Sequence, residues 1–200
     1  MGAKGEGIAQ ELNILFTCGG RRVALLEAFR RAMAALEVGG RLLVTDASSA
    51  SSAYHKADAG FTVPRCAHPD YLPALQELIG RENVGLLVPL TDLDLLQLAE
   101  RREQFAALGC TVMIGSAEAI RICRDKFATA AHIAAAGLPA LRTVALSEFR
   151  REPFYPAFVK PVSGSSGIGA AVVGSAEELD AHASRHGEDL IAQELAPGRE

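Results

Sequence analysis

Lys160 closes the apolar run Pro156 to Pro161, and Val162-Ser-Gly-Ser-Ser-Gly-Ile168 and Gly169 follow it directly. A glycine and serine loop of this size exposes backbone N–H groups, and its glycines let them curl round a phosphate without steric cost. An ammonium fixed at the end of a strand supplies the positive charge that a polyphosphate requires. The chemistry on offer is therefore phosphate binding. A Walker loop is excluded, because Ala170 and Ala171 stand where Lys and Ser or Thr would have to follow Gly169. Such a loop also leads from strand to helix, and this one joins two apparent strands. The plain alternative is a hairpin with a surface lysine, since Gly and Ser clusters are common in loops.

Three other groupings carry reactive side chains. Thr17-Cys-Gly-Gly-Arg-Arg22 could be a dinucleotide turn with Asp46 as ribose ligand, but Gly-x-Gly-x-x-Gly fails because Gly20, Arg21, Arg22 and Val23 follow Gly19. The same glycines suit a tight turn before a helix whose amino terminus can hold an anion, with Arg21 and Arg22 solvated or facing substrate. Cys18 offers a thiol, read here as a small packed residue. Cys18, Cys66, Cys110 and Cys123 include no Cys-x-x-Cys pair, so they suggest neither a zinc knuckle nor a disulfide framework, and buried free thiols are expected. Glu178, His182 and His186 recur at i, i+4 and i+8, which reads as a solvated helix face with a metal face as the competing option.

The elements that position these residues alternate. Asn13 to Thr17 is an apolar strand, Val23 to Leu36 a helix with one apolar face, Leu42 to Thr45 a second strand and Phe61 to Val63 a third. A helix carrying Leu72, Leu75, Leu78 and Ile79 is expected to stop at Gly80, with a fourth strand over Val84 to Pro89. Thr91, with Asp94 three residues on, is expected to open one helix reaching Leu108, before a fifth strand over Thr111 to Ile114. Repeated strand–helix–strand units imply a parallel sheet with helices on both faces, and ligands on such sheets sit beyond the carboxyl ends of the strands. From about Ser116 the pattern changes. Helices are expected from Ser116 and from Asp125 to Ala136, then strands at Pro156 to Pro161 and Gly169 to Val173. A capping box at Ser175 to Glu178 opens a helix to His186, and Leu190 to Glu194 is a last strand.

Asp125-Lys126-Phe127, Phe158-Val-Lys-Pro161, the Ser163 to Gly169 loop and Gln193-Glu-Leu-Ala-Pro-Gly-Arg-Glu200 together resemble, in order, separation and residue type, the ATP-binding half of the ATP-grasp superfamily. The first half resembles the pre-ATP-grasp domain of those enzymes. Its segment Ile14 to Arg22 is similar to the opening of small carbamoyl-phosphate-synthase-large-chain-like ATP-grasp proteins. The implied fold class is α/β: a Rossmann-like parallel-sheet pre-ATP-grasp domain over residues 12–116, after a flexible tail at 1–11, then an α+β ATP-grasp amino-terminal lobe over 117–200. The resemblance implies that Lys126 and Lys160 contact ATP phosphates under the mobile loop Ser163, Gly164, Ser165, Ser166, Gly167, Ile168 and Gly169. It implies a hinge of Gln193, Glu194, Leu195 and Ala196, where Glu194 takes the adenine amino group and the Ala196 backbone meets the ring, and Glu200 on the ribose. Gly19, Arg21, Arg22, Asp92 and Asp94 are expected to face the substrate from the strand ends.

The implied reaction is carboxylate–amine (or ammonia) ligation, in which ATP converts a carboxylate to an acyl phosphate that the amine attacks. ATP and Mg2+ are the implied cofactors. The family's magnesium ligands belong to its second lobe, expected past residue 200, so this chain is read as a truncated form unable to turn over alone, with no metal site of its own. A non-catalytic nucleotide-binding or assembly subunit completed by another chain is the alternative, and a nicotinamide oxidoreductase a more distant one. The composition fits a folded chain, since 49% hydrophobic residues and a net charge of -4 are unlike a disordered segment. Mild acidity disfavours nucleic acid as a partner. No apolar run approaches the roughly 20 residues of a membrane span, and the amino terminus lacks the basic start and apolar run of a signal peptide. A cytoplasmic protein is expected, with a homo-oligomer left open.

Overall fold

The computed structural model describes residues 11–164 and 167–196. The chain divides into two compact units, residues 1–117 and 118–200. The first unit is a parallel sheet of β1 (Asn13–Thr17), β2 (Leu42–Asp46), β3 (Ala59–Thr62), β4 (Val84–Pro89) and β5 (Thr111–Val112), in the order β3-β2-β1-β4-β5. The connections are α1 (Val23–Ala35), α2 (Ser52–Lys56), α3 (Tyr71–Arg81) and the pair α4 (Leu95–Glu100) and α5 (Arg102–Ala107). Successive strand residues point to opposite faces, so a sheet covered on both sides needs apolar residues at every position. Leu15, Leu43 and Leu87 accordingly join Leu75, Ile79, Leu98 and Phe105 in one core. Ile14, Phe16, Leu42 and Val44 join Leu26 and Ala53 in the other. The strand order reverses at β1, and the crevice at the carboxyl ends of β1 and β4 is where such a sheet holds ligands.

Several local expectations are corrected. α3 runs through Gly80 to Arg81, because one glycine inside an otherwise apolar helix face is outweighed by the burial of Leu75, Leu78 and Ile79. The helix expected from Thr91 to Leu108 begins at Leu95 and is broken at Arg101, whose φ of -114° and ψ of 17° leave the helical region. Asp94 precedes α4 without capping it, since its carboxylate is engaged elsewhere. α2 was not anticipated, and its start is fixed by Ser51, whose hydroxyl accepts from Tyr54 N. Glu11, placed by the sequence in a flexible tail, forms a parallel bridge with Gly39. Residues 1–10 of that expected tail lie outside the described residues.

The second unit holds α6 (Ala117–Arg124), α7 (Lys126–Ala135), β6 (Thr143–Ala145), α8 (Leu146–Arg151), β7 (Ala157–Pro161), β8 (Ala171–Val173), α9 (Ala176–His186) and β9 (Leu190–Glu194). The four strands form an antiparallel sheet in the order β6-β9-β7-β8. Ala157, Val159, Leu190 and Ala192 pack with Phe149, Leu179 and Ala183 to make its core. The polar residues Lys160 and Gln193 stay outside that core. Asp125 caps α7, accepting from Phe127 N at 2.8 Å and Ala128 N at 2.9 Å. Ser175 caps α9 through Glu178 N, and the Glu178 carboxylate reaches back to Gly174 N, one residue before the cap. β6 and α8 had no sequence expectation. Among the described residues no helix is long and apolar enough to cross a membrane.

Candidate functional site

In the second unit the capped start of α7 and the end of β7 bring two lysines together. Lys126 and Lys160 both line a cavity of about 380 Å3 with Gln193, Thr129 and Ile133. They also both line a neighbouring cavity of about 200 Å3 with Gly164, Gly167 and Ile168. One pair of cations thus sits between a larger, partly apolar space and a smaller one walled by the glycine loop. Strand register explains part of this, because Phe158 lies opposite Gln193 and the two-residue period puts Lys160 on that same face. Lys160 Nζ donates to Gln193 Oε1 at 3.0 Å, and Gln193 Nε2 donates to Thr143 Oγ1 at 2.8 Å. Lys126 Nζ donates to the carbonyl of Gly164 at 3.0 Å and more loosely to that of Val162, tying the helix start to the loop.

The electrostatics fit an anion site. Burial, followed by the positive charge of Lys126, holds the Lys160 ammonium below its ordinary pKa. A bound anion would reverse the second effect. The loop is shaped for close backbone approach, as Gly164, Gly167 and Gly169 all have positive φ (117°, 70° and 72°), a region that other residues enter only with strain. Ser163 begins the loop exposed. Ser165 and Ser166 lie outside the described residues, as does Glu200. Glu194, Leu195 and Ala196 continue from β9 as exposed chain and are not among the described residues lining either cavity. Thr129 and Ile133 were not singled out in the sequence, although the helical spacing of Lys126, Thr129 and Ile133 places them along one side of α7, and Cys123, expected as a buried thiol, is exposed at the cavity wall.

The possible metal face on α9 is not assembled. His182 is only 5% exposed and its Nε2 lies 3.0 Å from the carbonyl oxygen of Gly169, while its ring leans on that of His186. Glu178 is occupied at Gly174 N. The reading of this face as solvated holds for Glu178 and His186, which are exposed, and is corrected for His182, a buried support beneath the loop. Among the described residues of the second unit no three acidic, histidine or cysteine side chains gather closely enough to hold an ion.

In the first unit the strand ends are tightly wired. A Cβ on Gly19 would lie 2.6 Å from Val44 Cγ1 and 3.0 Å from Ala53, so the glycine is there for close packing of the turn. Gly20 N donates to Asp46 Oδ2 at 3.0 Å and Ala47 N to Asp46 Oδ1 at 2.8 Å. Asp46 therefore fastens the turn, which removes it from the ribose role of a dinucleotide reading. Arg21 and Arg22 are exposed, and Arg22 reaches back to the carbonyl of Cys18. Asp92 is half-buried near Thr91. Asp94, expected to face substrate, is instead fully buried: its Oδ2 accepts from Thr17 Oγ1 and from Tyr71 OH, both at 2.7 Å. Burial raises its pKa against the opposing effect of those two donors. Cys18, Cys66, Tyr71, Asp46 and Arg65 line a cavity of about 190 Å3 beside it. Sequence reasoning took Cys66 only as a buried thiol and passed over Tyr71; they stand 48 and 23 residues from the partners they meet.

The fold of a parallel α/β unit followed by an antiparallel sheet is shared with solved structures of other proteins. An L-amino acid ligase from Bacillus licheniformis superposes with a TM-score of 0.69 at 18% identity, covering 94% of this chain and 45% of the ligase. N5-carboxyaminoimidazole ribonucleotide synthetase in its ADP complex gives 0.66 at 22% identity, covering 94% of this chain and 48% of the synthetase. Biotin carboxylase from Campylobacter jejuni, in complex with β-γ-ATP, gives 0.64 at 19% identity, covering 92% and 45%. The chain spans less than half the length of each of these structures. No curated protein sequence matches it. Residues 14–113 match the family described as PylC-like, N-terminal domain, and the chain belongs to that family.

Proposed function

We propose that the second unit binds ATP for an ATP-dependent carboxylate–amine (or ammonia) ligase and that the first unit contributes to the substrate side. The observation that carries this reading is the convergence of Lys126 and Lys160 on one cavity whose neighbour is walled by the positive-φ glycine loop. The larger cavity, which Gln193 lines, is assigned to the base and sugar, and the smaller to the phosphates. In the ligation a carboxylate oxygen attacks the γ-phosphorus, ADP leaves, the amine nitrogen attacks the acyl carbon and phosphate departs. Lys126 and Lys160 hold and partly neutralise the phosphate oxygens during the first transfer. Mg2+ ordinarily accompanies the nucleotide in such transfers, but the described residues of this unit do not gather a ligand set for it, and no step is assigned to a metal held by them. The free thiols among the described residues suit a reducing compartment, in line with a cytoplasmic enzyme.

Calorimetric titration of the 200-residue chain with ATP and Mg2+, beside its Lys160→Ala variant, tests the assignment. Binding to the native chain, weakened at least about tenfold in the variant by loss of a charge-assisted contact, is expected. Equal affinity in the two proteins would overturn it.

A further inference from the structure

Cys18 Sγ and Cys66 Sγ lie 3.4 Å apart at the strand ends of the first unit. These two sulfurs and a carboxylate oxygen of Asp94 all fall within 4.8 Å of one another, the one such grouping among the described residues. We propose that Cys18, Cys66 and Asp94 bind a zinc-class divalent cation, with water in the fourth position on the side of the cavity that the two cysteines line. Three protein ligands and an open position are a common zinc arrangement, and thiolate ligands select zinc over the hard magnesium and calcium ions. Tetrahedral geometry with Zn–S bonds of about 2.3 Å sets the sulfurs roughly 3.8 Å apart. The pair needs to open by only a few tenths of an ångström.

Two independent observations point to a missing ligand. Asp94 is fully buried and its Oδ1 has no hydrogen-bond partner, which is costly for a carboxylate unless a cation satisfies it. Its other oxygen accepts from Thr17 and Tyr71, the kind of outer support that orients a metal-binding carboxylate. Cys18 is also held at a φ of 52°, in the left-handed region that disfavours a non-glycine residue. The zinc reaction is an exchange: two thiols lose H+ to solvent as two Zn–S bonds form and waters leave the ion.

Co2+ titration of the reduced, full 200-residue chain under anaerobic conditions tests this without reference to nucleotide. The expected result is a thiolate-to-cobalt charge-transfer band with tetrahedral d–d bands, saturating at one equivalent and bleached by Zn2+. Cys18→Ser, Cys66→Ser and Asp94→Asn should each weaken binding by at least about tenfold, and Tyr71→Phe by about tenfold through loss of carboxylate orientation. Cys110→Ser and Cys123→Ser should leave the band intact. Should a site variant fail to fold, thiol labelling of the native chain gives a second readout: Zn2+ should protect Cys18 and Cys66 and leave Cys123 open to reagent. No charge-transfer band at excess Co2+, a band retained in folded Cys18→Ser and Cys66→Ser, or labelling of the pair unaffected by Zn2+ would overturn the assignment.

Discussion

The ammonium of Lys160 donates to Gln193 Oε1 at 3.0 Å while the amide of Gln193 donates onward to Thr143 Oγ1 at 2.8 Å, so one side chain aims the cation and is itself held across the sheet. Gln193→Leu removes both contacts without altering charge. The variant should lose about 0.5–1.5 kcal/mol of stability per hydrogen bond broken, read by urea unfolding. Its ATP affinity should fall by about fivefold, because Lys160 then loses its fixed direction. Unchanged affinity would separate Gln193 from the phosphate site.

Lys160 should trade stability for binding. Burial and the charge of Lys126 lower its folded pKa below the ordinary lysine value of 10.5. The charged form is thus less favourable in the folded state than in the unfolded one, and folding improves as pH rises from the folded pKa towards 10.5. Lys160→Met should match or exceed the native melting temperature at neutral pH and still bind ATP at least about tenfold more weakly. In the alkaline window the native chain should gain stability relative to the variant. A native chain that loses ground there would contradict the sign.

Much of this fold is legible in the sequence because both units follow simple periodicities. β1, β4 and β9 sit at their expected residues, since Leu15, Leu87 and Ala192 belong to runs too apolar for an exposed strand. α7 and α9 begin where Asp125 and Ser175 mark their caps. β6 and α8 were not foreseen: Thr143 to Ala145 is only three residues long and gains strand structure by pairing with β9, a tertiary effect. The glycine loop and the lysine before it are visible in the sequence by residue type. The inward turn of Asp94 is not, because it depends on Thr17 and Tyr71 arriving from elements far along the chain.

That inward turn gives the acid limb of the stability curve an identifiable component. Burial raises the Asp94 pKa above the ordinary aspartate value of 3.8, so the carboxylate charge costs stability at neutral pH. As pH falls through the raised folded value towards 3.8, protonation relieves this cost and Asp94 adds stability. Glu82 acts in the opposite sense, because hydrogen bonds from Arg41 and then Arg81 lower its pKa and that support is lost as it is protonated. Asp94→Asn should therefore delete a stabilising contribution on mild acidification, while Glu82→Gln should flatten the acid loss. Thr17→Val removes one donor to Asp94 and should cost about 1–3 kcal/mol at neutral pH. Urea unfolding across this pH range reads all three, and identical pH profiles for native chain and Asp94→Asn would refute the account.

Gly169 and Gly80 should respond to alanine with opposite signs. Gly169 has a φ of 72°, and a Cβ there would come within 2.9 Å of Pro161 Cγ and 3.2 Å of its Cδ. Its carbonyl is also the partner of the buried His182, so the backbone has little freedom to relax. Gly169→Ala should destabilise the chain by about 1–3 kcal/mol and loosen the loop beside Lys160. Gly80 lies inside α3 with nothing within 4 Å of an added Cβ, so Gly80→Ala should stabilise by about 0.5–1 kcal/mol through better helix propensity. If ATP binding uses the loop, Gly169→Ala should weaken it several-fold and Gly80→Ala should leave it unchanged. Paired unfolding and calorimetry on the two variants separate loop strain from a general effect of losing glycine, since a common direction in both would leave the strained turn without a role.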